Sequence, residues 1–109
     1  MPDKSLVIAV DFDGTLCENK FPEIGEPIQS VINYVKQLKA EGCKLILWTC
    51  REGEALLKAV AWCAKWGLYF DAINANLPER IAEYGTDPRK IGADFYLDDR
   101  NILVKEVLK

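Results

Sequence analysis

The chain has 109 residues, half of them apolar, which suits a single domain with one core and leaves no room for a second. With 14 basic against 17 acidic side chains the net charge is −3, so long-range attraction to nucleic acid or to an anionic membrane is not favoured. Histidine is absent, which removes the usual general base, the Ser-His and Cys-His nucleophile pairs and the commonest transition-metal ligand.

The first element in chain order is SLVIAVDF, a short, nearly continuous apolar run that predicts a strand buried on both faces. Its core, Leu6 to Val10, is too short for a signal-peptide core or a membrane span and ends in Asp11, so the expected location is cytoplasmic. LCENKFPEIGE follows as a flap. PIQSVINYVKQLKAEG then sets Ile28, Val31, Ile32, Val35 and Leu38 at helical spacing, with Pro27 near the first turn and Gly42 past the end. KLILW predicts a second buried strand with Trp48 interior.

EGEALLKAVAWCAKWG returns to helical period through Leu56, Leu57, Val60 and Cys63 or Ala64, and Gly67 stops it. Trp62 and Trp66 on this helix read as packing residues at i and i+4. LYFDAIN holds a short third strand and ADFYL a fourth. Between them, NLPERIAEYGTDPRK is irregular, with a helical turn around Glu79 to Tyr84, and RNILVKEVLK closes the chain as a helix. Cys17, Cys43, Cys50 and Cys63 have no C-x-x-C spacing and read as idle or buried thiols in a reducing compartment.

Alternating strands and helices imply right-handed crossovers and a parallel sheet between helices, with ligands bound at the carboxyl ends of the strands. Those ends carry Asp11-Phe12-Asp13-Gly14-Thr15, Trp48-Thr49-Cys50-Arg51 and Asp98-Asp99-Arg100. Each piece also has a plain reading. Asp13-Gly14 is a turn signal, Thr49 a helix N-cap, Asp98 and Asp99 caps for the last helix, and Arg51 and Lys90 solvated cations. Acid, hydroxyl and acid pair in that order on strands of one sheet are not explained by independent caps.

DFDGT after an apolar strand, Thr49 at the end of the second strand, a later lysine and the final acid pair resemble the motifs of the haloacid dehalogenase (HAD) superfamily, over Asp11 to Asp99. It resembles in particular the short members without a cap domain, some associated with sugar-phosphate and surface-polysaccharide metabolism. The resemblance implies a three-layer α/β/α Rossmann-like domain over residues 1–109 and a Mg2+-dependent phosphomonoester hydrolase. In that pattern Asp11 is the nucleophile that forms an aspartyl-phosphate, and Asp13 is the acid and base. Asp11, the Asp13 backbone carbonyl, Asp98 and Asp99 hold the metal.

The same resemblance gives Gly14 a turn that lets backbone N–H groups face the phosphoryl oxygens. Thr15, Thr49, Cys50 and Arg51 bind phosphate, and Lys90, with Arg89 as its immediate rival, balances charge. The acid at the second position argues against carbon–halogen cleavage, and the lack of a lid argues against a mutase. The expected partner is a small or sugar-containing phosphate ester at an open site, with Phe21 of the flap beside it; a homo-oligomer could wall the site. Two other readings stay open: a non-catalytic binding domain, and a phosphatase acting on nucleotide or nucleic-acid ends.

Overall fold

The computed structural model describes residues 6–108. Its elements run β1 (Val7–Val10), β2 (Cys17–Lys20), β3 (Glu23–Pro27), α1 (Gln29–Ala40), β4 (Lys44–Leu47), α2 (Gly53–Lys65), β5 (Ala72–Ile73), α3 (Pro78–Tyr84), β6 (Phe95–Leu97) and α4 (Val104–Val107). Ser5 and Lys109, at the outer ends of the expected first strand and closing helix, lie outside the described residues. No described helix is long and apolar enough to cross a membrane.

The central sheet has the order β5-β4-β1-β6, and every neighbouring pair is parallel. All of β1 is buried, as an inner strand covered on both faces requires. Alternate residues divide between the faces. Ile8, Val10, Leu45 and Leu47 pack with Ile32, Val35 and Leu38 of α1 and with Ala59 and Cys63 of α2. Val7, Ala9 and Ile46 face the other way, against Leu77 and Ile91 with half-buried Trp48, Ala72, Ala93 and Tyr96.

Both long helices therefore lie on one face. The reason is the strand order: β1 to β4 and β4 to β5 step in the same direction, and right-handed crossovers then put both helices on the same side. The return from β5 to β6 passes to the far side of β1, so α3 and the connection after it cover the opposite face thinly. The direction of travel reverses beside β1, where the carboxyl ends of β4, β1 and β6 border a crevice. Backbone bonds carry the ladder past the strands into that crevice, from Trp48 N–H to the Val10 carbonyl and from Asp11 N–H to that of Leu97, each 2.9 Å.

Several expectations change at the level of single residues. Leu57 is 71% exposed, and small Ala59 with Cys63 forms the buried stripe of α2, which lets the helix sit close to the sheet. Trp48 is half-buried rather than interior, because it follows the last residue of β4 at the sheet's rim. The flap is an antiparallel hairpin, β2 with β3, pairing Asn19 with Ile24 and Lys20 with Glu23. The closing helix shrinks to the 4-residue α4, and Ile102, Val104, Val107 and Leu108 stay exposed among the described residues.

Trp62 does pack: its ring meets Phe12 edge-on at 5.4 Å, and Trp66 lies 5.9 Å from Trp62. Cys17, Cys43 and Cys63 are buried, while Cys50 is exposed. Burial, and next the neighbouring Cys17, pushes the Cys63 thiol up to about 12, which makes it a poor nucleophile.

Candidate active site

Asp11 is the first residue beyond β1, and its position is fixed by the ladder bond to β6. The Thr15 hydroxyl donates to Asp11 Oδ2 at 3.2 Å, so Thr15 orients this carboxylate; it is buried and is not among the residues that line the cleft. Asp98 and Asp99 come up beside it from the end of β6. Carboxylate oxygens of Asp11, Asp98 and Asp99 all lie within 4.8 Å of one another. An octahedral Mg2+ shell places oxygens about 3 Å apart at adjacent positions and about 4 Å apart at opposite ones, so a small inward shift would bring the three to positions on such a shell, with water or substrate for the rest. With three carboxylates and neither sulfur nor imidazole, the donor set suits a hard cation.

Burial pushes the Asp11 carboxyl up to about 6; the charges of Asp98 and Asp99 act in the same direction, against the Phe12 N–H and the Thr15 hydroxyl. A folded-state value above the ordinary 3.8 means that the native state binds the proton more tightly than the unfolded chain. Stability from this group is therefore full below about 4 and lost as pH rises through about 6. A bound cation offsets that loss and competes with the proton. We expect the Mg2+-induced rise in melting temperature to be several degrees larger at pH 7.5 than at pH 5, measured by calorimetry; an equal rise at both would disconnect Asp11 from the ion.

Gly14 has φ +87°, and a Cβ there would lie 2.3 Å from Asp99 Oδ2. Only glycine permits both the turn and the close approach of the acid. Gly14→Ala is expected to displace Asp99 and weaken Mg2+ binding about tenfold or more, read by titration calorimetry. Binding within twofold of the native chain would remove Asp99 from the ligand set. The amides of this turn serve the turn itself. Gly14 N–H donates to the Cys17 carbonyl at 2.8 Å, and those of Thr15 and Leu16 both donate to the Phe12 carbonyl. These three amides are therefore already engaged within the turn.

Asp13 is held differently from Asp11. Its two oxygens accept from Arg51, Oδ2 from Nε and Oδ1 from Nη2, each at 2.8 Å. Arg51 is only 1% exposed. Its Nη1 also donates to the carbonyls of Pro22 and Ala55, and its Nη2 to that of Glu23. A guanidinium has five N–H donors, and these contacts engage them all. Arg51 and Asp13 both line the cleft, and for Arg51 to bind a phosphate, as expected, it would have to exchange one of these bonds. Each Asp13 oxygen accepts one bond from Arg51 and keeps a second lone pair toward the cleft, so the ion pair orients Asp13 without using up its acceptor sites.

Thr49 and Cys50 do reach the cleft. The Thr49 hydroxyl accepts from Arg51 N–H at 3.1 Å, a local turn rather than a cap of α2, whose N-cap is Glu52. An accepting hydroxyl keeps its own hydrogen to donate. Asn74 fastens this loop: its Oδ1 accepts from Thr49 N–H at 2.8 Å and its Nδ2 donates to the Arg51 carbonyl at 3.2 Å. At Asn74 φ is +50°, a conformation that asparagine tolerates better than most residues.

The cleft has a volume of about 320 Å³ and is also lined by Asn19, Phe21 and Arg100, with a hollow of about 230 Å³ adjoining it under Trp48. Phe21, expected beside a substrate, lines the cleft, and Asn19, Asn74 and Arg100 were missed. The one available signal was Arg100, directly after the acid pair.

Lys90 is not brought to the cleft. Its Nζ sits 5.9 Å from the Tyr96 ring centroid, and it borders a separate hollow with Arg80, Tyr84 and Thr86. Next to it Ile91 is buried, and Asn76 ties down the Pro88 carbonyl and the Gly92 N–H, which presses the connection onto the second core face and leaves Lys90 and Arg89 exposed.

No protein-family model and no curated protein matches the chain. Among solved structures it matches a conserved protein from Bacteroides thetaiotaomicron at 43% identity and a TM-score of 0.80, over 95% of this chain and 86% of that one. Identity of that order across nearly the whole length places the chain in the same family as the conserved Bacteroides thetaiotaomicron protein.

Proposed function

We propose that this protein is a Mg2+-dependent phosphoester hydrolase of the HAD type, with Asp11 as the nucleophile. The supporting observation is the convergence of Asp11, Asp98 and Asp99 oxygens at the mouth of a cleft that also presents Thr49 and Cys50. In the same reading the fold is a three-layer Rossmann-like domain without a cap, whose thin third layer is α3 and the connection to β6.

Asp11, Asp98 and Asp99 would hold the ion, which supplies Lewis-acid neutralisation of a phosphate ester. Asp11 forms a bond to phosphorus as the bond from phosphorus to the leaving oxygen breaks, and water then cleaves the aspartyl-phosphate. Thr15 keeps the attacking carboxylate aimed. The Thr49 hydroxyl donates to the phosphoryl oxygens, and Arg100 brings positive charge to the same cleft. Asp13, which lines the cleft while paired to Arg51, would protonate the leaving oxygen from a carboxyl lone pair that the guanidinium leaves free.

The Asp13–Arg51 pair favours a second reading, a domain that binds metal and a partner without turnover. Hydrolysis of an aryl phosphate by the purified chain, with Mg2+ and with a chelator, separates the two. Turnover that rises at least about tenfold with Mg2+ supports the enzyme. Mg2+ binding with no turnover supports the binding domain, and absence of both sinks the site.

A further inference from the structure

We propose that Arg51 is a positioning residue that fixes the β2–β3 hairpin as the wall of the cleft facing the acid cluster. A two-stranded ribbon is marginal by itself, and this one has a register shift between Cys17 and Asn19. Its base is anchored in the core by Leu16 and Cys17. Its far end is held by the Arg51 side chain, through Nη1 to Pro22 O at 3.1 Å and Nη2 to Glu23 O at 2.9 Å, with Phe21 stacked 5.0 Å from the guanidinium carbon.

The same guanidinium grips the first turn of α2 through Ala55 O at 3.3 Å and lies 5.0 Å from the ring of Phe12, which follows Asp11. Asn19 and Phe21, on the hairpin, and Asp98, Asp99 and Arg100, after β6, line one cleft. Arg51 makes that cleft a fixed shape by joining the hairpin, Asp13 and α2 into one rigid unit. Lysine offers a single ammonium and cannot span these acceptors as a planar fork does. The term wall of a substrate cleft rests on the phosphohydrolase reading; the dependence of the hairpin on Arg51 does not.

The test uses Arg51→Lys and Arg51→Ala beside the native chain. In Arg51→Lys, hydrogen exchange of the amides between Asn19 and Ile24 should accelerate at least tenfold while those of β1 keep their protection. Mg2+ affinity, read by calorimetry, should stay within about threefold of native, because Arg51 touches none of the three acids. With an aryl phosphate, KM should rise by a larger factor than kcat falls. Methylguanidinium at millimolar concentration should restore hairpin protection in Arg51→Ala.

In the native chain, NMR should resolve distinct Arg51 Nη resonances, the signature of a guanidinium whose rotation is blocked. Native-like hairpin exchange in Arg51→Lys, an equal loss of protection in β1, or averaged Nη resonances in the native chain would each overturn the proposal. If neither variant folds, the native Nη resonances decide. Absence of turnover in the native chain counts against the phosphohydrolase reading alone, and exchange and resonances still judge Arg51.

Discussion

Under the proposed phosphohydrolase function, Asp11→Asn should lower Mg2+-dependent hydrolysis of an aryl phosphate by a factor on the order of 10⁴, to the level of a chelated sample, since it would remove the proposed nucleophile and with it the covalent route. The amide is nearly isosteric, so the fold is kept and the Thr15 hydroxyl retains an acceptor. The substitution also removes a charge that the native site holds at a cost. Burial raises Asp11 to about 6, so above that pH the metal-free native chain carries an ionised group that resists its surroundings. In a chelator at pH 7.5 the variant should therefore melt a few degrees above the native chain, and the advantage should vanish below about pH 4, where Asp11 is protonated in both states. Inactive but more stable is the expected pairing. A variant that keeps a tenth of the native rate would dismiss Asp11 as nucleophile, and one that melts lower at pH 7.5 would dismiss the strained carboxylate.

The parts of this arrangement that were legible in the sequence are those fixed by chain-local pattern. VIAV followed by Asp11 announces an inner strand that delivers a carboxylate to the rim, and FYL followed by Asp98-Asp99 does the same from β6. Parallel pairing then brings acids far apart in sequence to one place, without any further information than strand direction. What was hidden depends on where a long side chain turns once the chain is folded. Arg51 follows Thr49 at a strand end and looks like a phosphate ligand. Its burial is decided by the hairpin carbonyls and by Asp13, 38 residues earlier.

Lys90 illustrates the same limit from the other side. It stands only a few residues before the acid pair, closer than in many members of the superfamily the sequence resembles, and the direction of its side chain follows from Ile91 entering the second core face and from Asn76 fastening the loop. Helical period failed at Leu57 because two adjacent leucines, Leu56 and Leu57, cannot both face the sheet, and the smaller Ala59 and Cys63 determine which side does. The tail ILVKEVL has apolar residues but no surface among the described residues that receives them, and sequence pattern alone says nothing about a receiving surface.

The second large effect concerns stability. Arg51→Met keeps an apolar stem between Phe12 and Phe21 and deletes the cation, which leaves the Asp13 carboxylate and the carbonyls of Pro22, Glu23 and Ala55 without their donor. Removing one partner of a fully buried pair costs about 3–5 kcal/mol; Asp13 faces the cleft, where water reaches its carboxylate, so a loss of about 2–3 kcal/mol is expected, most of it from the carbonyls left without a donor. For a domain of this size that is a fall of about 10 °C or more in melting temperature. Asp13→Asn in the same chain removes the orphaned charge, so the double variant should recover part of the loss, with a coupling energy of about 1–3 kcal/mol by chemical denaturation. The carbonyls remain unpaired in both, which is why recovery should be incomplete. If the two substitutions are simply additive, Arg51 holds the hairpin through its backbone contacts alone and the ion pair with Asp13 is incidental to the fold. If Arg51→Met costs less than about 1 kcal/mol, the guanidinium is not the bolt that its burial and saturated donors make it.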